Sequence, residues 1–105
     1  MHPSTQDTIT LIEQQLAENT LILYMKGTPE QPRCGFSARV AQVLNACQFN
    51  FAYVDVLTHP EIRQALPLYS QWPTFPQLYY RGELIGGCDI VEELYKTGKL
   101  KEKLT

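Results

Sequence analysis

Cys34-Gly35-Phe36-Ser37 is the part of this sequence whose residue types most plainly invite chemistry. It follows an apolar run that reads as a strand and opens a stretch with helical periodicity. Unpaired N–H groups and the positive dipole end of a helix N-terminus stabilise a thiolate. Cysteines so placed fall from a pKa of about 8.5 into a range of roughly 3.5 to 7.5. Lys26, at the end of the preceding strand, adds a positive charge. A thiolate there is a nucleophile or a soft-metal ligand; the bland reading is a small residue that opens a helix. Ser37 stands where a dithiol motif would carry its second cysteine. A hydroxyl cannot resolve a mixed disulfide, so any exchange chemistry would draw on an outside thiol.

Other residues carry two readings each. Gly86-Gly87-Cys88-Asp89 combines small residues, hence close backbone approach, with a helix start that can bind an anion. Asp89-x-x-Glu92 also has the form of a capping box, so Asp89 reads equally as a plain N-cap. Lys26 and Arg63, taken alone, read as solvated surface charges. Pro76, after Thr74-Phe75, reads as a proline tolerated at the start of a strand. Cys47 lies on an apolar helical stripe and reads as buried and inert. His2 and His59 have no ligand spacing around them. Trp72, Tyr79 and Tyr80 read as packing residues, because no basic stripe accompanies them.

The elements that must position these groups follow from periodicity. Ile9, Ile12 and Leu16 predict a helix over about residues 5–18, opened by Ser4-x-x-Asp7 and ended by Asn19. Thr20 to Lys26 reads as a strand covered on both faces, and Gly27 to Arg33 as a loop punctuated by Pro29 and Pro32. Phe36, Val40, Val43, Leu44 and Cys47 form the stripe of a second helix. Phe49 to Val56 reads as a second buried strand, completing a right-handed parallel βαβ unit. Pro60 suits the first turn of a short helix carrying Ile62, Arg63, Leu66 and Tyr69. Gln77 to Tyr80 and Glu83 to Ile85 read as strands of a hairpin turned at Arg81-Gly82. A last main helix follows, with Gly98 at its C-terminal end. The class is α/β, with a central four-stranded mixed sheet flanked by helices.

Size and charge narrow the rest. The 105 residues, 44% hydrophobic, suit one domain with one core over residues 1–105, its main part at about residues 20–104. A formal charge of −2 with scattered Lys and Arg argues against a nucleic-acid or membrane partner. Met1 to Asp7 lacks the basic and apolar regions of a signal peptide. Three cysteines without such a signal fit a reducing compartment, and a cytoplasmic location is expected.

Lys26-Gly27-Thr28, Cys34-Gly35-Phe36-Ser37, Trp72-Pro73-Thr74-Phe75-Pro76-Gln77 and Gly86-Gly87-Cys88-Asp89 together resemble the monothiol glutaredoxins of the CGFS class. The resemblance runs from about Leu21 to Leu104, and includes the eight-residue step from Lys26 to Cys34. It implies a thioredoxin fold of the glutaredoxin type and glutathione as a bound cofactor. Lys26 and Arg63 would hold the glycine carboxylate of glutathione. A cis-proline turn at Pro76, shaped with Thr74, would expose the Phe75 backbone to its cysteine residue. Cys88, through its backbone, and Asp89 would take the γ-glutamyl end.

The same resemblance implies that Cys34 from each of two chains, with two glutathione thiols, binds one [2Fe–2S] cluster between protomers. A carrier of such clusters to apo iron–sulfur proteins is the first functional expectation. A glutathione-dependent thiol–disulfide oxidoreductase that removes glutathione from protein thiols is the second. An adaptor that pairs with BolA-like proteins is the third.

Overall fold

The computed structural model describes residues 4–105; the first three residues of the stretch read for a signal, His2 among them, lie outside them. Ser4 caps α1 (Thr5–Glu18): its hydroxyl accepts the Asp7 N–H at 3.1 Å, and the Asp7 carboxylate accepts the Ser4 N–H. Asn19 ends the helix, and Ile12 and Leu16 face inward as their spacing requires. The chain continues through β1 (Leu21–Met25), α2 (Gly35–Ala46), β2 (Ala52–Asp55), α3 (Pro60–Ser70), β3 (Gln77–Tyr80), β4 (Glu83–Gly86), α4 (Cys88–Lys96) and α5 (Leu100–Lys103).

The strands form one sheet in the order β2-β1-β3-β4, with β1 parallel to β2 and every other pairing antiparallel. All five β1 residues are buried because β1 lies inside the sheet and side chains alternate between covered faces. Ile22 and Tyr24 join a core with residues of α1 and α3; Leu21, Leu23 and Met25 join the core on the α2 and α4 side. Arg81 and Gly82 both have positive φ, 50° and 80°, which suits the tight turn joining β3 to β4.

Several expectations shift. The second strand is shorter than Phe49 to Val56 and lies on the sheet edge, so Tyr53 is exposed. Phe36, in the first turn of α2, is 53% exposed; Ser37 and Ala41 are buried in the stripe instead. Cys47 is the C-cap of α2 and only half-buried. Asp89-x-x-Glu92 is not a capping box: α4 starts two residues earlier than that box requires, with Gly87 as its N-cap and no side-chain capping hydrogen bond. The short α5 was not anticipated at all.

Candidate thiol site and its groove

The loop between β1 and α2 turns the chain back on itself. Thr28 and Gln31 exchange backbone hydrogen bonds of 3.2 and 3.1 Å, and Gly27 bridges to Pro32. The Asp55 carboxylate, at the end of β2, accepts both the Gly27 and the Leu57 N–H at 2.9 Å. Arg33 then donates its N–H to the Lys26 carbonyl at 2.9 Å. Residues on either side of the loop are thereby brought together, and Cys34 arrives at the head of α2 close to Lys26.

Cys34 is the N-cap residue of α2, in extended backbone conformation. Its thiol pKa is lowered, chiefly by the Ser37 backbone N–H, with help from the Phe36 N–H, the Lys26 charge and the Ser37 hydroxyl; partial burial opposes them. Ser37 itself is fully buried, and its hydroxyl accepts the Lys26 N–H at 3.1 Å. Reading Ser37 only as the absence of a second thiol missed this role, since a serine in a helical stripe shows no apolar signal.

Cys34 opens on a groove of about 760 Å³. Lys26, Arg63, Thr74, Phe75, Pro76, Cys88 and Asp89 all line it, so the residues that the resemblance names for glutathione share one groove, while Cys47, His59, Tyr79 and Tyr80 lie outside it. Phe36, Pro67, Trp72, Pro73, Gly87 and Ile90 complete the lining. Trp72 was read as packing; its position directly before Pro73-Thr74 was the available signal. The Phe75–Pro76 peptide is cis. Among the described residues neither the Phe75 N–H nor its carbonyl is hydrogen-bonded. Gly87 lets the head of α4 approach this loop: a Cβ there would stand 3.2 Å from the Pro76 carbonyl oxygen and 3.3 Å from Trp72 Nε1.

Cys88 also borders the groove, but its chemistry is opposite. Its thiol is buried and donates to Glu92 Oε1 at 3.0 Å, which Arg39 Nη1 faces at 3.8 Å. Burial first, then the Glu92 carboxylate, push the Cys88 pKa up to about 11. The two sulfurs should therefore separate in an alkylation profile. Cys34, with a lowered pKa, keeps its thiolate as pH falls below the ordinary thiol range and loses reactivity only on titrating through that lowered value. Cys88 gains a thiolate only near pH 11. Mass mapping after iodoacetamide at pH 7 should find Cys34 modified and Cys88 intact; equal rates would contradict the assignment.

The glutaredoxin family profile matches residues 21–85. The chain is 58% identical over 95 residues to glutaredoxin 4 of Escherichia coli (strain K12), covering 90% of this chain and 83% of that protein. It is 53% identical over 98 residues to glutaredoxin 4 of Haemophilus influenzae (strain 86-028NP), covering 93% and 92%. Reduced poplar apo GrxS14 in solution has a similar structure, with a TM-score of 0.81 at 44% identity over 94% of this chain and 91% of that one. A buckwheat glutaredoxin–glutathione complex superposes with a TM-score of 0.84 at 24% identity over 97% and 94%, which speaks for the fold alone. The four-stranded mixed sheet with its flanking helices is thus a thioredoxin fold. With the profile spanning most of the sheet and relatives of this closeness matched over most of their length, the chain belongs to the glutaredoxin family.

Proposed function

We propose that this chain is a monothiol glutaredoxin that binds glutathione and, as a pair of copies, carries a [2Fe–2S] cluster to apo iron–sulfur proteins. One observation carries the reading. A thiol held toward its thiolate shares a groove with two cations and an unpaired stretch of backbone. Glutathione has two carboxylates, an ammonium, a thiol and an extended backbone. Lys26 and Arg63 suit its glycine carboxylate through charge-assisted hydrogen bonds. The Phe75 N–H and carbonyl suit its central residue as an added strand would, with Thr74 and Pro76 shaping that wall. The head of α4, with the Cys88 backbone and the Asp89 carboxylate, suits the γ-glutamyl end.

Iron–sulfur clusters usually take four thiolates. Among the described residues no three His, Cys, Asp or Glu side chains gather as a metal site, and Cys88 holds its proton. A cluster on Cys34 would therefore need ligands from elsewhere, and a second Cys34 with two glutathione thiols makes four. Exchangeable glutathione ligands leave such a cargo labile, as transfer requires. We assign the chain to the cytoplasm, with a second copy, a BolA-like protein and apo iron–sulfur proteins as partners. The same low-pKa thiolate favours a second reading, removal of glutathione from protein thiols. Cys34 would take the glutathionyl sulfur and release the protein thiolate, and a second glutathione would free Cys34 as glutathione disulfide.

Anaerobic reconstitution with iron, sulfide and glutathione separates the two. A coloured dimer that loads an apo-ferredoxin is expected; no iron uptake, with fast turnover in glutathione–disulfide exchange, would favour the enzyme. Lys26→Ala and Arg63→Ala should each weaken glutathione binding by roughly five- to tenfold in a calorimetric titration. Unchanged affinity in both would displace the carboxylate from that end.

A further inference from the structure

Gln77 is fully buried at the start of β3, an unusual place for a primary amide. Burying an amide is costly unless its donors and acceptor all find partners. Here they do. Gln77 Nε2 donates to the Trp72 carbonyl at 2.9 Å and to the Thr74 carbonyl at 3.2 Å, while Oε1 accepts the Tyr79 hydroxyl at 2.8 Å. Tyr79 is buried too, and its ring meets that of Tyr24 edge-on at 5.6 Å.

Both carbonyls that Gln77 grips belong to the segment that walls the groove. That segment has little means of holding itself. Pro73 and Pro76 have no N–H to give, so neither can tie the segment down as a donor. Trp72 is tied on its amide side, where its N–H donates to the Pro67 carbonyl at 3.2 Å and to the Ser70 hydroxyl at 3.2 Å. On the carbonyl side Gln77 supplies the closer hold, at 2.9 Å against 3.5 Å for the Ser70 hydroxyl, whose shorter bond goes to the Leu66 carbonyl at 2.8 Å. An apolar residue would fill the same core volume without this connection.

We propose that Gln77, oriented by Tyr79, is the positioning residue of the groove wall, and that it sets glutathione affinity without touching the ligand. The Trp72 and Thr74 carbonyls can only accept, so they take the N–H end of the amide. The Tyr79 hydroxyl donates to the oxygen that this leaves facing the core, and so holds the amide in place from its other end. The ligand part of this inference rests on the glutathione reading above. The loop part does not, because Trp72 is the chain's one tryptophan and reports the wall directly.

Full-length Gln77→Met, Tyr79→Phe and the double variant test it. Gln77→Met keeps the volume and removes both donors; Tyr79→Phe removes one hydroxyl and leaves the fold's packing in place. Glutathione affinity of folded protein, by calorimetry, should weaken roughly tenfold in Gln77→Met and roughly threefold in Tyr79→Phe. The double variant should match Gln77→Met alone, because Tyr79 acts through the amide. Acrylamide quenching of Trp72 should rise in step. A merely structural role would lower the unfolding midpoint while leaving affinity and quenching unmoved, and that result overturns the proposal. So does a Tyr79→Phe effect that persists in the Gln77→Met background. A wild-type protein that binds no glutathione would overturn the reading of the groove; quenching of Trp72 would still decide whether Gln77 holds the wall.

Discussion

Cys34→Ser should take up no iron in anaerobic reconstitution while folding as well as the wild type, or slightly better. The two halves of this expectation have separate causes. Cys34 is the only groove-lining thiol held toward its charged form, since the Cys88 pKa is pushed up to about 11. Removing its sulfur removes the thiolate for either cluster binding or disulfide exchange. Cys34 is also the N-cap of α2 and makes no side-chain capping bond. Serine is among the best N-cap residues, and a good cap contributes about 1 kcal/mol over a poor one. A colourless monomer with an unfolding midpoint at or above the wild-type value is the expected pair of results. Colour retained in the variant would move the cluster to another ligand.

Gly27→Ala should be the most damaging small substitution near the site. Gly27 has φ +90°, a region that costs an L-residue roughly 1–2 kcal/mol. An added Cβ would lie 2.5 Å from the Gln31 carbonyl oxygen and 2.6 Å from the Arg33 backbone nitrogen, neither of which is a flexible end. Overpacking adds about 1–3 kcal/mol, so a total loss of about 2–5 kcal/mol is expected from a domain whose stability is of order 5–15. Denaturant unfolding should show that loss. The damage should also reach the thiol: the loop that Gly27 starts sets Cys34 beside Lys26, so alkylation of Cys34 at pH 7 should slow. An alanine variant of wild-type stability would mean that the loop relaxes freely and does not hold the site.

What could be read without coordinates was whatever local pattern determines. The Ser4 capping box, the β3 bounds and the positive-φ turn at Arg81-Gly82 depend on residues a few positions apart, and they are where their types place them. The gathering of Lys26, Arg63, Phe75 and Asp89 around one groove came from the resemblance, since four separate chain segments supply it. Burial along α2 follows position and side-chain size as well as apolarity, so its apolar spacing is only a partial guide. Ser37, Val40, Ala41 and Leu44 occupy the buried stripe, and the small residues among them gave no signal while exposed Phe36 gave a strong one. The edge position of β2 follows from sheet order, which no single segment encodes. The start of α4 at Cys88 is a tertiary matter as well, set beside the close approach of Gly87 to Pro76 and Trp72.

The buried Ser37 hydroxyl bears on any attempt to endow this chain with a second sulfur. That oxygen latches the exit of β1 to the first turn of α2 by accepting the Lys26 amide. A thiol is a weaker acceptor and a bulkier atom, and it would enter a space closed to solvent. A cysteine at position 37 would therefore trade part of the anchoring between strand and helix for its added sulfur.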